Sequence, residues 1–180
     1  MTVFITGGCK NGKSTFALQC ALSLSERRPR YYVATMEPPC DADELERIRI
    51  HRAARAGKGF VTLEQGRNLP VCLEQADHSG VFLLDSVTAL LANEMFRPDG
   101  SVDWTAGDRL ANDLVRFSQL ARSVVFVADF VFSDGRDYGA LTEDYRSALG
   151  HIGVKLAQAC GNVAELSASI PIWYKGGWQP

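Results

Sequence analysis

The chain has no long block of like charge and no apolar stretch approaching the ~18 residues that suggest a membrane span. Its 19 basic and 21 acidic side chains nearly cancel, leaving −2 at pH 7, so nucleic acid is not the favoured partner. Cysteine is sparse and odd in number: Cys9, Cys20, Cys40, Cys72 and Cys160, five in all, with no C-x-x-C spacing. That pattern suggests neither a disulfide framework nor a zinc site, and reduced thiols in the cytoplasm are the expectation. Histidine is scarcer still, limited to His51, His78 and His151. The first residues run directly into a strand, so no signal peptide is expected. No internal repeat or low-complexity linker appears. At 180 residues and 46% hydrophobic content, one domain spanning 1–180 can bury a sizeable core without disulfides or structural metal.

What the chain does contain, close to its start, is Gly7-Gly8-Cys9-Lys10-Asn11-Gly12-Lys13-Ser14, which fills the P-loop pattern G-x-x-x-x-G-K-[ST]. Val3-Phe4-Ile5 reads as a short buried strand. Ser14 to Ser25 reads as a helix with Phe16, Leu18, Ala21 and Leu22 facing inward. Glycines let the backbone curl toward phosphate oxygens, so that successive N–H groups and the positive end of the helix point at the anion. Lys13 would reach the β/γ-phosphates and the Ser14 hydroxyl would bind Mg²⁺.

Further along, Tyr31 to Thr35, Phe60 to Leu63, Val81 to Asp85, Val124 to Ala128, Val163 to Ala168 and Ile170 to Tyr174 read as strands. The intervening helices are predicted from Asp41 to about Arg55 with an Asp41-x-x-Glu44 capping box, over Leu69 to Ala76, Val87 to Phe96 and Trp104 to Ala121, and through about Cys160. Strands alternating with helices imply an α/β fold, a P-loop NTPase of the RecA-like kind with a mainly parallel sheet flanked by helices. Ligands of such sheets gather beyond the carboxyl ends of the strands. There lie the P-loop, Thr35-Met36-Glu37, Asp85-Ser86 and Asp129. Asp85 is the natural second Mg²⁺ partner, with a helix N-cap as its other reading. Asp129 reads at least as well as a capping or loop residue.

Arg47, His51 and Arg55 fall at i, i+4 and i+8, which sets an imidazole between two guanidinium groups on one helix face. If that face borders the nucleotide, the arginines can bind phosphates in forked geometry and their charge favours a neutral, nucleophilic imidazole. The same spacing describes a solvated basic face with one surface histidine, which the pattern alone favours. His78 and His151 sit in no recognisable motif and read as structural or surface residues.

The run Thr6 to Ser14, the strand Tyr32-Val33-Ala34-Thr35, the helix Glu44 to Arg55 with its R-I-x-x-H, and Thr62-x-Glu64 together resemble a known family. So do Leu83 to Thr88 with Asn93, Ser169-Ile170-Pro171 and Lys175-Gly176. The family is the bifunctional adenosylcobinamide kinase and adenosylcobinamide-phosphate guanylyltransferase of cobalamin assembly. The resemblance implies two steps. The hydroxyl of the aminopropanol arm of adenosylcobinamide is phosphorylated with ATP or GTP. GMP then passes from GTP to that phosphate through a covalent guanylyl-histidine, releasing pyrophosphate and giving adenosylcobinamide-GDP. His51 occupies the family's nucleophile position, beside Lys13 as the other catalytic residue. Nucleotide contacts would fall on Gly7, Gly8, Cys9, Lys10, Asn11, Gly12, Lys13, Ser14, Ala34, Thr35, Met36, Arg52, Ala53, Ala54, Arg55, Glu64 and Asp85, with Ser14 and Asp85 on Mg²⁺. The resemblance also implies a homotrimer.

One region departs. Where the family usually carries N-E-V-G, then G-x-V-P and a helix with G-R-x-N, this chain has Asp129-Phe130-Val131-Phe132 to Asp137 and then Gly150-His151-Ile152-Gly153. Phe60 also stands where the family often has Trp. The chain is identified as a divergent member. A small-molecule kinase without guanylyl transfer and a non-catalytic nucleotide-binding regulatory module stay open as alternatives.

Overall fold

The computed structural model describes residues 1–37, 42–178 and 180, without the side chains of Asp43, Glu44 and Arg47. Among them the chain alternates strand and helix: β1 (Thr2–Gly7), α1 (Lys13–Ser25), β2 (Arg30–Ala34), α2 (Ala42–Arg55), β3 (Phe60–Glu64), α3 (Val71–Glu74) and β4 (Val81–Asp85). Then follow α4 (Val87–Met95), α5 (Ala106–Leu120), β5 (Ser123–Val127), α6 (Ala140–Ala159), β6 (Asn162–Ser167) and β7 (Ile170–Lys175). One seven-stranded sheet results, ordered β3-β2-β4-β5-β1-β6-β7. Six strands run parallel and β7 returns antiparallel against β6.

The uninterrupted apolar runs of β4 and β5 place them at the centre, buried on both faces, as parallel strands covered by helices require. Their alternating side chains divide the core in two. On one face Phe82, Leu84, Val124 and Phe126 pack with Leu90, Leu91, Leu114, Phe117, Ile152 and Leu156 from α4, α5 and α6. On the other, Val3, Ile5, Leu83, Val125 and Val127 pack beneath Ala17, Leu18, Cys20, Ala21 and Leu24 of α1. Within α1, Phe16 and Leu22 are only partly buried, with Phe16 packing edge-on against Trp173 of β7. The small residues Ala17, Cys20 and Ala21 are fully buried instead.

Several boundaries differ from the sequence expectation for local reasons. Asp103 accepts from the Thr105 backbone N–H and hydroxyl at 3.0 and 2.7 Å, a turn that holds Trp104 and Thr105 out of α5. Phe96 leaves α4 and bridges Val102 instead. α3 shrinks to four residues. Thr35 lies just beyond β2. The Asp41-x-x-Glu44 capping box lies outside the described residues.

Helix α2 is built differently from the rest. None of its described side chains is buried, and Leu45 and Ile50 are exposed. It is held by polar and cationic contacts to β2 and β4 rather than by an apolar stripe.

Candidate functional site

The order of the strands lines up the chemistry-bearing residues along one edge of the sheet. β5 separates β1 from β4, so the P-loop, Asp129 and Asp85 follow one another beyond adjacent strand ends, with Thr35 beyond β2 next in line. Neighbouring strands lie about 4.8 Å apart.

The loop from Gly7 to Gly12 curls through positive φ at Gly7 (150°), Lys10 (57°) and Gly12 (82°). A Cβ on Gly12 would stand 2.5 Å from Ser169 Oγ in the β6–β7 turn, so both conformation and space require glycine there. Gly12 caps α1 with no side-chain hydrogen bond, which leaves the first-turn N–H groups pointing at an anion site. Lys13 is 7% exposed, its Nζ donating to Gly8 O at 2.7 Å and pairing with Asp129 Oδ1 at 2.8 Å.

On the far side of Asp129 opens a cleft of about 1240 Å³ that takes its walls from β2, α2, β3, β4 and α4. His51 Nδ1 stands 3.2 Å from Asp85 Oδ2 and 3.3 Å from the Tyr32 hydroxyl, which also lies 3.5 Å from Asp85. Burial, and after it the Asp85 charge, pushes the Tyr32 phenol well above its usual range, so it stays a neutral hydroxyl. The Arg55 guanidinium stacks 3.4 Å above the Tyr32 ring, a desolvated cation–π contact. Burial lowers its pKa below the ordinary value, and Arg55 Nη1 is buried with no hydrogen-bond partner. A buried guanidinium N–H without an acceptor, on the wall of an open cleft, suits a phosphate oxygen. Arg52 pairs with Glu64 at 3.4 Å, both largely exposed.

The structure gathers Ala34, Thr35, Met36, His51, Arg52, Arg55, Glu64, Asp85 and Asp129 around this one cleft. Ala53 and Ala54 are exposed and outside its lining, and Gly7 to Ser14 form a separate cradle joined to it through Lys13 and Asp129. Two sequence readings change in detail. The Asp85 carboxylate stands 3.2 Å from His51 Nδ1, a partner that the spacing of the arginines did not suggest. The N-cap of α4 is Ser86, whose side chain accepts from Ala89 N at 3.2 Å, so Asp85 is free of that role. Thr35 is buried, its hydroxyl donating to Ser86 O at 2.8 Å and accepting from Ser86 N at 2.7 Å. Its hydroxyl therefore ties β2 to β4 instead of facing a ligand.

The chain matches the family described as cobinamide kinase / cobinamide phosphate guanyltransferase over residues 3–173. It belongs to that family. No curated protein matches. Among solved structures, the flagellar accessory protein FlaH from Methanocaldococcus jannaschii is similar in fold, with TM-score 0.50 at 13% identity over 99% of this chain and 81% of that one. An ATPase from the type III secretion system of pathogenic bacteria aligns with TM-score 0.49 at 13% identity over 92% of this chain. The chain spans about half of that ATPase, 51% of its length.

For a member of this family, the sequence had marked His51, Arg55 and Asp85 but not their connection through Tyr32. The alternation of β2 held a signal, since Tyr32 shares a face with Ala34. Asp129, Thr88 and Tyr145 also line the cleft. The Tyr145 hydroxyl donates to Thr88 O at 2.9 Å, and Thr88 Oγ1 accepts from Asp129 N at 2.8 Å, which fixes the turn after β5. As to metal, no group of three or more His, Cys, Asp or Glu side chains that could hold an ion exists among the described residues. The donors expected for Mg²⁺, the Ser14 hydroxyl and the Asp85 carboxylate, are hard oxygens of the kind Mg²⁺ takes while keeping waters and phosphate oxygens. They fit such an ion bound together with nucleotide. No helix among the described residues is long and apolar enough to cross a membrane.

Proposed function

We propose that residues 1–180 act as one unit that phosphorylates adenosylcobinamide with ATP or GTP and then transfers GMP from GTP to the resulting phosphate through a guanylyl-histidine on His51. The observation that carries this reading is the His51 imidazole held by Asp85 at 3.2 Å in the same cleft as the unpartnered Arg55 guanidinium nitrogen.

In the first step the P-loop N–H groups and Lys13 hold the triphosphate, and positioning with charge neutralisation does most of the work. Mg²⁺, bound by Ser14 and Asp85 with the phosphates, would supply further charge neutralisation. In the second step Nδ1–H of His51 donates to Asp85, which fixes the tautomer and leaves Nε2 as the nucleophile. Nε2 attacks the α-phosphorus of GTP, the Pα–O bond to the β-phosphate breaks, and pyrophosphate leaves. Arg55 and Arg52 hold phosphate oxygens during the transfer. A phosphate oxygen of the corrinoid then attacks the same phosphorus and the P–N bond breaks. The working form is proposed to be a cytoplasmic homotrimer.

The decisive experiment is intact-protein mass after incubation with GTP and Mg²⁺, with wild type and His51→Ala side by side. A GMP-sized adduct on wild type alone is the expected result. Equal labelling of both proteins removes His51 from the mechanism. Corrinoid phosphorylation with no adduct on either supports a kinase without guanylyl transfer, a reading favoured by the departure of Asp129 to Asp137 from the family pattern. Nucleotide binding with no turnover supports a regulatory module.

A further inference from the structure

We infer that Asp129 is the general base of phosphoryl transfer, accepting the proton of the corrinoid hydroxyl as that oxygen attacks the γ-phosphorus. This rests on the proposed kinase activity and adds to it a residue that no motif in the sequence marks.

The P-loop lysine reports where the terminal phosphates sit. Of the acids that line the cleft, Glu37 pairs with Arg67 at 2.7 Å, Glu64 with Arg52 at 3.4 Å and Asp85 with His51 at 3.2 Å. Asp129 alone among these four pairs with Lys13, at 2.8 Å. Its carboxylate is 30% exposed, accessible from the cleft where an alcohol would enter. None of the histidines competes. His51 is engaged on Asp85, His78 Nε2 contacts Leu73 O at 2.6 Å, and His151 lies on α6 beside Asp108 at 3.5 Å.

Without nucleotide, Lys13 and Asp129 neutralise one another. When a triphosphate enters the loop, the ammonium turns to the phosphate oxygens and the carboxylate is released beside the γ-phosphate. The substrate O–H bond then breaks with its proton passing to Asp129, and the oxygen lone pair forms the new O–P bond. The bond from the γ-phosphorus to the bridging β-oxygen breaks, and nucleoside diphosphate departs. Asp129 does not drift from this position, because its N–H donates to Thr88 Oγ1 at 2.8 Å and the next N–H, of Phe130, donates to Gly7 O at 2.9 Å. The second bond ties the base directly to the phosphate loop.

The test is steady-state phosphorylation of cobinamide by wild type, Asp129→Asn and Asp129→Glu. General-base catalysis contributes typically 10²–10⁴-fold. Asn is expected to lower kcat by about a hundredfold or more while the KM for nucleotide stays within about threefold, and Glu to restore part of kcat. Asn within about threefold of wild-type kcat overturns the assignment and leaves the proposed function intact. A kcat unchanged with a large rise in nucleotide KM assigns Asp129 to holding Lys13 and equally overturns it. A wild-type protein that phosphorylates no corrinoid overturns the proposed function, and the base with it.

Discussion

At the scale of single residues, the cleft depends on side chains whose polar groups are fully engaged beside others left open. Thr35 is of the first kind, with both capacities of its hydroxyl used on Ser86 while its carbonyl accepts from Asn93 Nδ2 at 2.7 Å. Thr35→Val keeps the shape and strands the Ser86 N–H and carbonyl. Removing one partner from a buried pair costs about 1–3 kcal/mol, and denaturant unfolding should show a loss of that order. Arg55 is of the second kind, a buried nitrogen with no partner. The sequence was uneven at this scale. Glycine and lysine of the P-loop were plain because their pattern is local. Asp129 was not, because its meaning comes from lying one strand away from the loop, a neighbourhood created only when β5 inserts between β1 and β4. Tyr32 was overlooked for a related reason, since a strand tyrosine ordinarily reads as core.

At the scale of elements, the apolar runs of β4 and β5 were legible because strands buried on both faces show no polar interruption,. Helix boundaries were less so, since the Asp103–Thr105 turn and the Phe96–Val102 bridge override periodicity with side-chain and cross-chain bonds. Helix α2 differs from its neighbours in having no buried residue among its described side chains. Segments with few buried apolar contacts open locally at low free energy. Amide hydrogen exchange should therefore be fast over Ile48 to Arg55 and slow over β4 and β5. If GTP binds as proposed, its phosphates would bridge Arg52, Arg55 and the loop, and exchange in α2 should slow. Equal protection of α2 and the central strands in the free protein would contradict this account.

At the scale of the whole molecule, the two cores are closed over buried thiols on both faces of the sheet. Burial pushes Cys20, Cys72 and Cys160 from an ordinary value of 9.0 up to about 12. The sign follows directly, because a group whose pKa is higher folded than unfolded holds its proton longer in the native state. That stability is fully present below pH 9.0 and is lost as pH rises toward about 12. Equilibrium unfolding across this window should show falling stability, and replacing Cys20 with Ala should flatten the slope. The row of strand ends has a different bearing on the whole reaction. One strand, β5, lies between the strand that leads into the phosphate loop and the strand that ends at Asp85, so those two strands are held about 10 Å apart,. Because a hydrogen-bonded sheet fixes that gap, it falls to side chains, Lys13 with Asp129 on one side and His51 with Asp85 on the other, to reach into it. In the proposed two-step reaction the phosphorylated corrinoid would pass between side chains mounted on that fixed frame, and the time between the half-reactions would be a matter of transport as well as of bond making.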